Sequence, residues 1–169
     1  IANSEVIKQI EIKGNDRISD EIILMFSEIN VGQNIKTSKI NEIIKNLYDS
    51  NFFKKVSVKF DNNLVLINVD EAPLIENIFI SGIKAKKNKE LIRENFTLKE
   101  RSSFNEFQLS QDVKNIKSRL KSLGYYFAKI DPYVETLDNN MVNIEYKIVL
   151  GDKAKIAKIS FLGNKIFKD

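Results

Sequence analysis

The sequence predicts an α+β fold built from tandem β-α-α-β-β units. Two observations predict it. A strand pattern closed by glycine occurs three times, as Ile7, Ile10, Ile12 and Gly14, as Ile75, Ile78, Ile80 and Gly82, and as Ile156, Ile159, Phe161 and Gly163. The two apolar residues before each glycine alternate, which is the period of a strand with one buried face, and glycine tolerates the positive φ of the turn that follows. The second observation is a pair of hairpin turns, Asp61-Asn62-Asn63 and Asp138-Asn139-Asn140, each between two alternating runs. A return every roughly 70 to 80 residues marks tandem small domains, with expected bounds of 1–73, 74–153 and, for the start of a third unit, 154–169.

In the first unit a strand is predicted from Val6 to Lys13, then a turn at Gly14-Asn15-Asp16. Ser19 is placed to cap a short helix through Phe26, with Ile22, Ile23 and Phe26 on one side. Thr37 or Ser38 is expected to cap a second helix. Its apolar residues Ile40, Ile43, Ile44 and Leu47 follow the stripe of a helix with one buried face. Phe52 and Phe53 lead into a strand with Val56, Val58 and Phe60 on one face and Lys55, Ser57 and Lys59 on the other. The return strand carries Val65, Ile67 and Val69 on its inner face. Asp70-Glu71-Ala72-Pro73 closes the unit.

The second unit repeats this order. Ile75 to Ser81 is its first strand, and Leu91, Ile92 and Phe96 mark its first helix. Asn105 with Gln108 has capping-box spacing before the stripe Leu109, Val113, Ile116, Leu120 and Leu123, and Gly124 stops that helix. The stretch from Phe104 to Tyr125 exceeds that from Ile35 to Phe52 by about one helical turn. Pro132 falls inside the unit's second strand. A central strand would lose a ladder hydrogen bond there, so this strand is predicted at the sheet edge. Lys55 and Lys59 are what a protected edge carries in the first unit. Val142, Ile144, Tyr146 and Ile148 alternate along the last strand, and residues 156–167 are expected to be held extended by a neighbouring edge strand or a neighbouring molecule in a crystal.

Composition narrows function. The chain has 169 residues, no cysteine and no histidine, so thiol chemistry, disulfides and the usual general base are absent from the sequence. No nucleophile elbow, phosphate-binding glycine loop or metal-ligand cluster occurs. Glu42 and Asp49 are too separated in role to act as a catalytic pair, so the reading is non-enzymatic, with no cofactor and no metal. The first residue is Ile1, which suggests a trimmed chain or mature fragment, and no apolar run approaches the roughly 20 residues of a membrane-spanning helix. The net charge of +4 comes from Lys interspersed with Asp and Glu, and Arg is scarce. A nucleic-acid-binding tandem would need a clustered basic face with stacking aromatics, and that is the competing class. The Lys84 to Lys89 run reads as a solvated loop.

The combination of Ile10-Glu11-Ile12-Lys13-Gly14-Asn15, Leu47-Tyr48 before Asn51-Phe52-Phe53-Lys54-Lys55-Val56, and Val69-Asp70-Glu71-Ala72-Pro73 running into Ile75-Glu76-Asn77-Ile78 resembles the POTRA domains, the polypeptide-transport-associated family. Leu123-Gly124-Tyr125-Tyr126, Gly151-Asp152-Lys153 and Ile159-Ser160-Phe161-Leu162-Gly163-Asn164 extend the likeness over residues 5 to 167. Ile83 departs from it, where the other copies have Asn15 and Asn164. The resemblance implies a three-stranded mixed sheet with the third strand central and the second at the edge, and two helices on one face. It implies a periplasmic region of a bacterial outer-membrane protein, attached to the membrane through a downstream barrel. The implied partners are unfolded outer-membrane proteins, captured by β-augmentation, and the periplasmic chaperone and accessory lipoproteins of an assembly machine, without nucleic acid. A transporter of the same family for secretion or translocation is the alternative.

An edge strand presents unpaired N–H and C=O groups to an extended peptide, with little demand on its sequence. The candidate binding edges are therefore Lys54, Lys55, Val56, Ser57, Val58, Lys59 and Phe60, and Ala128, Lys129, Ile130, Asp131, Tyr133, Val134 and Glu135, with the first favoured because it lacks a proline. Glu71, Ala72, Pro73 and Leu74 are the candidate hinge, with restricted motion expected because Pro73 fixes its φ. Of Tyr125 and Tyr126, at least one is expected in the core.

Overall fold

The computed structural model describes residues 5–154. In chain order the elements are β1 (Glu5–Val6), β2 (Gln9–Lys13), α1 (Asp20–Ser27), β3 (Asn34–Ile35), α2 (Thr37–Asp49), β4 (Phe53–Asp61), β5 (Leu64–Glu71), β6 (Leu74–Ser81), α3 (Lys86–Arg93), α4 (Glu106–Ser122), β7 (Lys129–Leu137) and β8 (Met141–Val149). They form two mixed three-stranded sheets of order β2-β5-β4 and β6-β8-β7. In each, the first strand lies parallel to the last and the second antiparallel to it, so the third strand is central and the second is an edge. Residues 154–169, read as the start of a third unit, fall from Lys155 onward outside the described residues.

Local chemistry explains the elements. Asn62 and Asn63 both take positive φ, the geometry of the tight turn whose twist matches its flanking strands. Gly14 also has positive φ, and a Cβ there would collide with the Val69 carbonyl oxygen; Gly82 meets the Ile148 carbonyl in the same way. Glycine is therefore required where the first strand of each unit leaves its sheet. The Asn105 side chain accepts from the Gln108 N–H at 3.1 Å and starts α4. With 17 residues against 13 in α2, α4 carries the predicted extra turn.

The cores follow the periodicities. Ile23, Ile43, Leu47, Val65 and Ile67 are fully buried between the first sheet and its two helices, while Lys55, Ser57 and Lys59 face solvent on the other side. Ile92, Ile116, Leu120, Ile144 and Tyr146 form the second core. Tyr125 packs against that core and Tyr126 is exposed. Ile83 is buried there too, so the residue that breaks the turn pattern is a core residue.

Several expectations are corrected. The strand expected from Val6 to Lys13 breaks at Ile7 and Lys8. Ile7 is buried and exchanges hydrogen bonds with Gly32 and Gln33, and β1 pairs instead with β3, an unforeseen two-residue ribbon. Ser19 occupies the N-cap of α1 but its hydroxyl makes no capping bond. The cap position of α2 is Lys36, one residue before Thr37. Ile22 is exposed, and only Ile23 and Phe26 of that trio pack inward. Lys86, Lys87 and Lys89 are not loop residues but open α3, because lysine is a good helix former and no glycine or proline interrupts the approach to Ile92. Phe96 packs in the core from beyond the end of α3.

One buried polar cluster braces the second core. The Asp112 carboxylate on α4 accepts from the Thr97 and Leu98 N–H groups at 2.6 and 3.0 Å and from the Tyr146 hydroxyl at 3.1 Å. Burial, together with the negative Asp112, pushes the Tyr146 phenol far above its ordinary pKa. The folded-state value therefore exceeds the unfolded one. The stability this confers is complete below about pH 10 and is lost as pH rises past it. We predict that the phenolate absorbance step of Tyr146 coincides with alkaline unfolding and disappears in Tyr146→Phe. A reversible step within the folded state would contradict this. Asp112→Ala strands three donors and should cost on the order of 3 kcal/mol in urea denaturation.

Candidate peptide-binding edges and the inter-unit junction

Residues Lys54 to Phe60 all lie in β4, at the open edge of the first sheet. The ladder register shifts between Phe53 and Lys55, so Lys54 sits in a bulge, where it pairs with Asp70 at 3.2 Å. Beyond the bulge the register runs regularly from Lys55 to Asp61, which pairs with Leu64 across the two-residue turn. A two-residue turn makes Asp61 and Leu64 a hydrogen-bonded pair, so Lys59, Ser57 and Lys55 also bond inward. The outward groups then belong to Val56, Val58 and Phe60. One of them is taken: the Val56 N–H donates to the Tyr48 hydroxyl at 3.1 Å. Tyr48, from the last turn of α2, thus lies over the edge it would otherwise leave bare.

The second edge is β7. Ala128 is not part of it, being buried just before the strand, and pairing extends past Glu135 to Leu137. Pro132 pairs with Tyr146 without breaking the ladder, the arrangement in which its missing N–H faces away from β8. On the outer face of this sheet Glu135 accepts from Asn143, which in turn accepts from Asn77, and the Lys147 ammonium lies 4.9 Å from the Tyr133 ring centre. Lys129, Asp131 and Tyr133 are exposed, whereas Ile130 and Val134 lean onto the core. Each edge therefore lacks one outward donor, covered by Tyr48 in β4 and absent from the proline in β7. The first edge is not the freer of the two on that count.

The candidate hinge is short and bonded on both sides. Only Ala72 and Pro73 separate β5 from β6. Glu71 is buried, and its Oε1 accepts from the N–H groups of Asp16, Arg17 and Ile18 at 3.0, 2.9 and 2.7 Å, while Oε2 lies 3.4 Å from the Arg17 Nε. The Ala72 N–H donates to the Phe52 carbonyl, and the Pro73 carbonyl accepts from the Phe104 N–H at 2.7 Å. Two amides cross between units: Asn140 Nδ2 donates to the Glu71 carbonyl at 3.1 Å, and Asn105 Nδ2 to Asn51 Oδ1 at 3.0 Å. Asn105 thus caps α4 and reaches, with the same side chain, the left-handed Asn51 that follows the C-cap of α2.

Three of these residues were not singled out by sequence as doing this work. Asp112 had a signal, since it lies three residues after Leu109 and four before Ile116, on the buried stripe. Glu71 and Tyr48 had none, because their partners are 53 to 55 and 8 residues away and no periodicity links them. Glu42 pairs with Lys39 and Asp49 with Lys45, two separate surface ion pairs. Among the described residues no group of acidic side chains could hold a metal ion, and no helix is long and apolar enough to cross a membrane.

Comparison with known proteins matches the family described as POTRA, surface antigen variable number repeat, at residues 5–72 and again at 73–151. The outer membrane protein assembly factor BamA of Neisseria meningitidis serogroup B is 31% identical over 165 residues, which are 96% of this chain and 21% of that protein. The chain spans about a fifth of the length of such curated relatives. Among solved structures, the N-terminal domain of Omp85 from the cyanobacterium Thermosynechococcus elongatus superposes with a TM-score of 0.58 at 12% identity, over 85% of this chain and 63% of that one. POTRA1-2 of the periplasmic domain of Omp85 from Anabaena gives 0.55 at 14%, over 91% and 100%. At these identities the superpositions bear on the fold.

Glu71→Ala strands three backbone donors and should destabilise the first unit by about 2–4 kcal/mol. Urea denaturation followed at the amides of the first sheet measures it. Glu71→Gln keeps an acceptor and should lose less; equal losses would mean that the ion pair with Arg17 dominates.

Proposed function

The chain belongs to the POTRA family, matched twice along its length, and from that premise we propose that it is a non-catalytic periplasmic scaffold of a bacterial outer-membrane protein. It serves outer membrane protein assembly, as the name of its Neisseria relative says of that protein, and the cargo of that role is β-barrel chains. Its units are residues 1–73 and 74–153, with 154–169 opening a third. Its ligands are unfolded outer-membrane chains, which add to β4 or β7 as an extra strand, and accessory subunits of the assembly machine. The observation that carries this reading is that β4 and β7 each flank a three-stranded sheet with outward main-chain groups that no strand pairs. Main-chain pairing supplies affinity without fixing sequence, which suits a scaffold receiving many different strands.

A backbone-amide titration with an extended peptide from an outer-membrane barrel strand tests it, with a single-stranded oligonucleotide as control. Shifts confined to 54–60 and 129–137 are expected with the peptide. Shifts at the α3 lysines with the oligonucleotide, and none with the peptide, would replace this reading with nucleic-acid binding. Tyr48→Phe exposes the Val56 N–H, and one further hydrogen bond of about 0.5–1.5 kcal/mol should tighten binding at β4 roughly two- to tenfold. Unchanged or weaker binding at β4 would show that the Tyr48 hydroxyl does not compete with the ligand.

A further inference from the structure

Of the four strands that flank the two sheets, β4 and β7 are the ones that line the groove between the units, and followed through the junction they run in the same sense. β5 runs toward the junction and β4, antiparallel to it, runs away. β6 leaves the junction, β8 lies parallel to β6, and β7, antiparallel to β8, runs back toward the junction. Placed end to end, β7 arrives where β4 departs. Both open into one inter-unit groove of about 920 Å³, lined by Phe53 and Lys54 from the start of β4 and by Val134 and Thr136 near the end of β7. Tyr48 stands on its first-unit side and Phe107 on its second-unit side, 43% and 70% exposed.

We infer that a single unfolded polypeptide segment pairs with both edges at once, antiparallel to each, running from the first unit to the second. Where it crosses the groove it places apolar side chains between Tyr48 and Phe107. This rests on the strand-capture reading above and adds to it that the two edges form one track. The common direction matters because antiparallel and parallel ladders space their hydrogen bonds differently. Had the edges run in opposite senses, one continuous peptide would have to change pairing mode midway; here it keeps the same mode throughout. The occupant is therefore an extended chain and not a helix, since only an extended chain meets both rows of outward main-chain groups. Each edge strand has nine residues, so a segment of roughly 20–25 residues at about 3.4 Å per residue covers both and the groove between. Joining two weak sites in one ligand raises affinity without new contacts, provided that the geometry allows both to engage.

The test compares synthetic peptides of alternating valine and threonine, about 9 and about 24 residues long, on the full 169-residue chain. The long peptide should bind one-to-one and at least roughly tenfold tighter than the short one. It should also shift amides in the groove, at Asn51, Phe107 and Asn140, that the short peptide leaves unmoved. N-methylating alternate residues in either half of the long peptide, which removes pairing on that half alone, should return affinity to the short-peptide level. Short peptides that shift both β4 and β7, with the long peptide no tighter or binding two to one protein, would overturn the single track and leave strand capture standing. If neither length shifts either edge, strand capture itself falls and the track falls with it.

Discussion

The architecture depends on one carboxylate, that of Glu71. It stands at the end of β5, the central strand of the first sheet, and holds three successive N–H groups of the loop that enters α1. Its main-chain carbonyl meanwhile accepts from Asn140 of the second unit. One residue therefore joins the middle of a sheet, the approach to a helix and the neighbouring domain. A buried carboxylate with three N–H donors and a guanidinium is well compensated, but removing it leaves its donors without partners away from water. In the second unit a similar demand is met by Asp112, from a helix instead of a strand end and aimed at a different loop. The two repeats share a topology while closing their loops with different residues.

A sheet edge that could receive a ligand strand is also a liability. An unpaired strand invites any extended chain, including another copy of itself. Here lysines on the outer face, a bulge at Lys54, the Tyr48 hydroxyl on Val56 and the proline in β7 each weaken that invitation without closing it. Val58 and Phe60 keep outward main-chain groups beyond the one that Tyr48 occupies. The edges are thus partly protected and partly open: β4 keeps the outward groups of Val58 and Phe60, and β7 lacks a single N–H at Pro132.

Much of this fold was legible because its signals are local. Glycine at 14 and 82, the Asn-Asn turns, the stripes of α2 and α4 and the Asn105 cap each need only neighbours within a few residues. Pro132 placed β7 at an edge by its missing donor alone. What stayed hidden depends on distant partners. Ile7 breaks the first strand because Gly32 and Gln33 claim its backbone. Tyr48 covers Val56 only because α2 and β4 pack together. The run of lysines before Ile92 reads as a loop and folds as the start of α3, because the intrinsic helix preference of lysine outweighs its unfavourable place at the positive end of the helix dipole. In the candidate site, the strands and the junction could be read from the sequence, but not the side chains that tune them.

The junction decides whether the two edges behave as one surface. A free hinge would sample many inter-unit angles, and an extended ligand touching both edges would then have to freeze them, at an entropic cost that offsets the advantage of joining the sites. Pro73 removes one torsion, and the bonds of Ala72 to Phe52 and of Phe104 to Pro73 fix the residues on either side. The bonds of Asn140 and Asn105 then resist rotation from outside the covalent link. None of these contacts is individually strong, since neutral hydrogen bonds contribute about 1 kcal/mol each. Acting together across a two-residue connection, they restrain the Glu71–Leu74 segment from both sides. If one ligand does span β4 and β7, that restraint is what lowers the entropic cost of holding the two edges together.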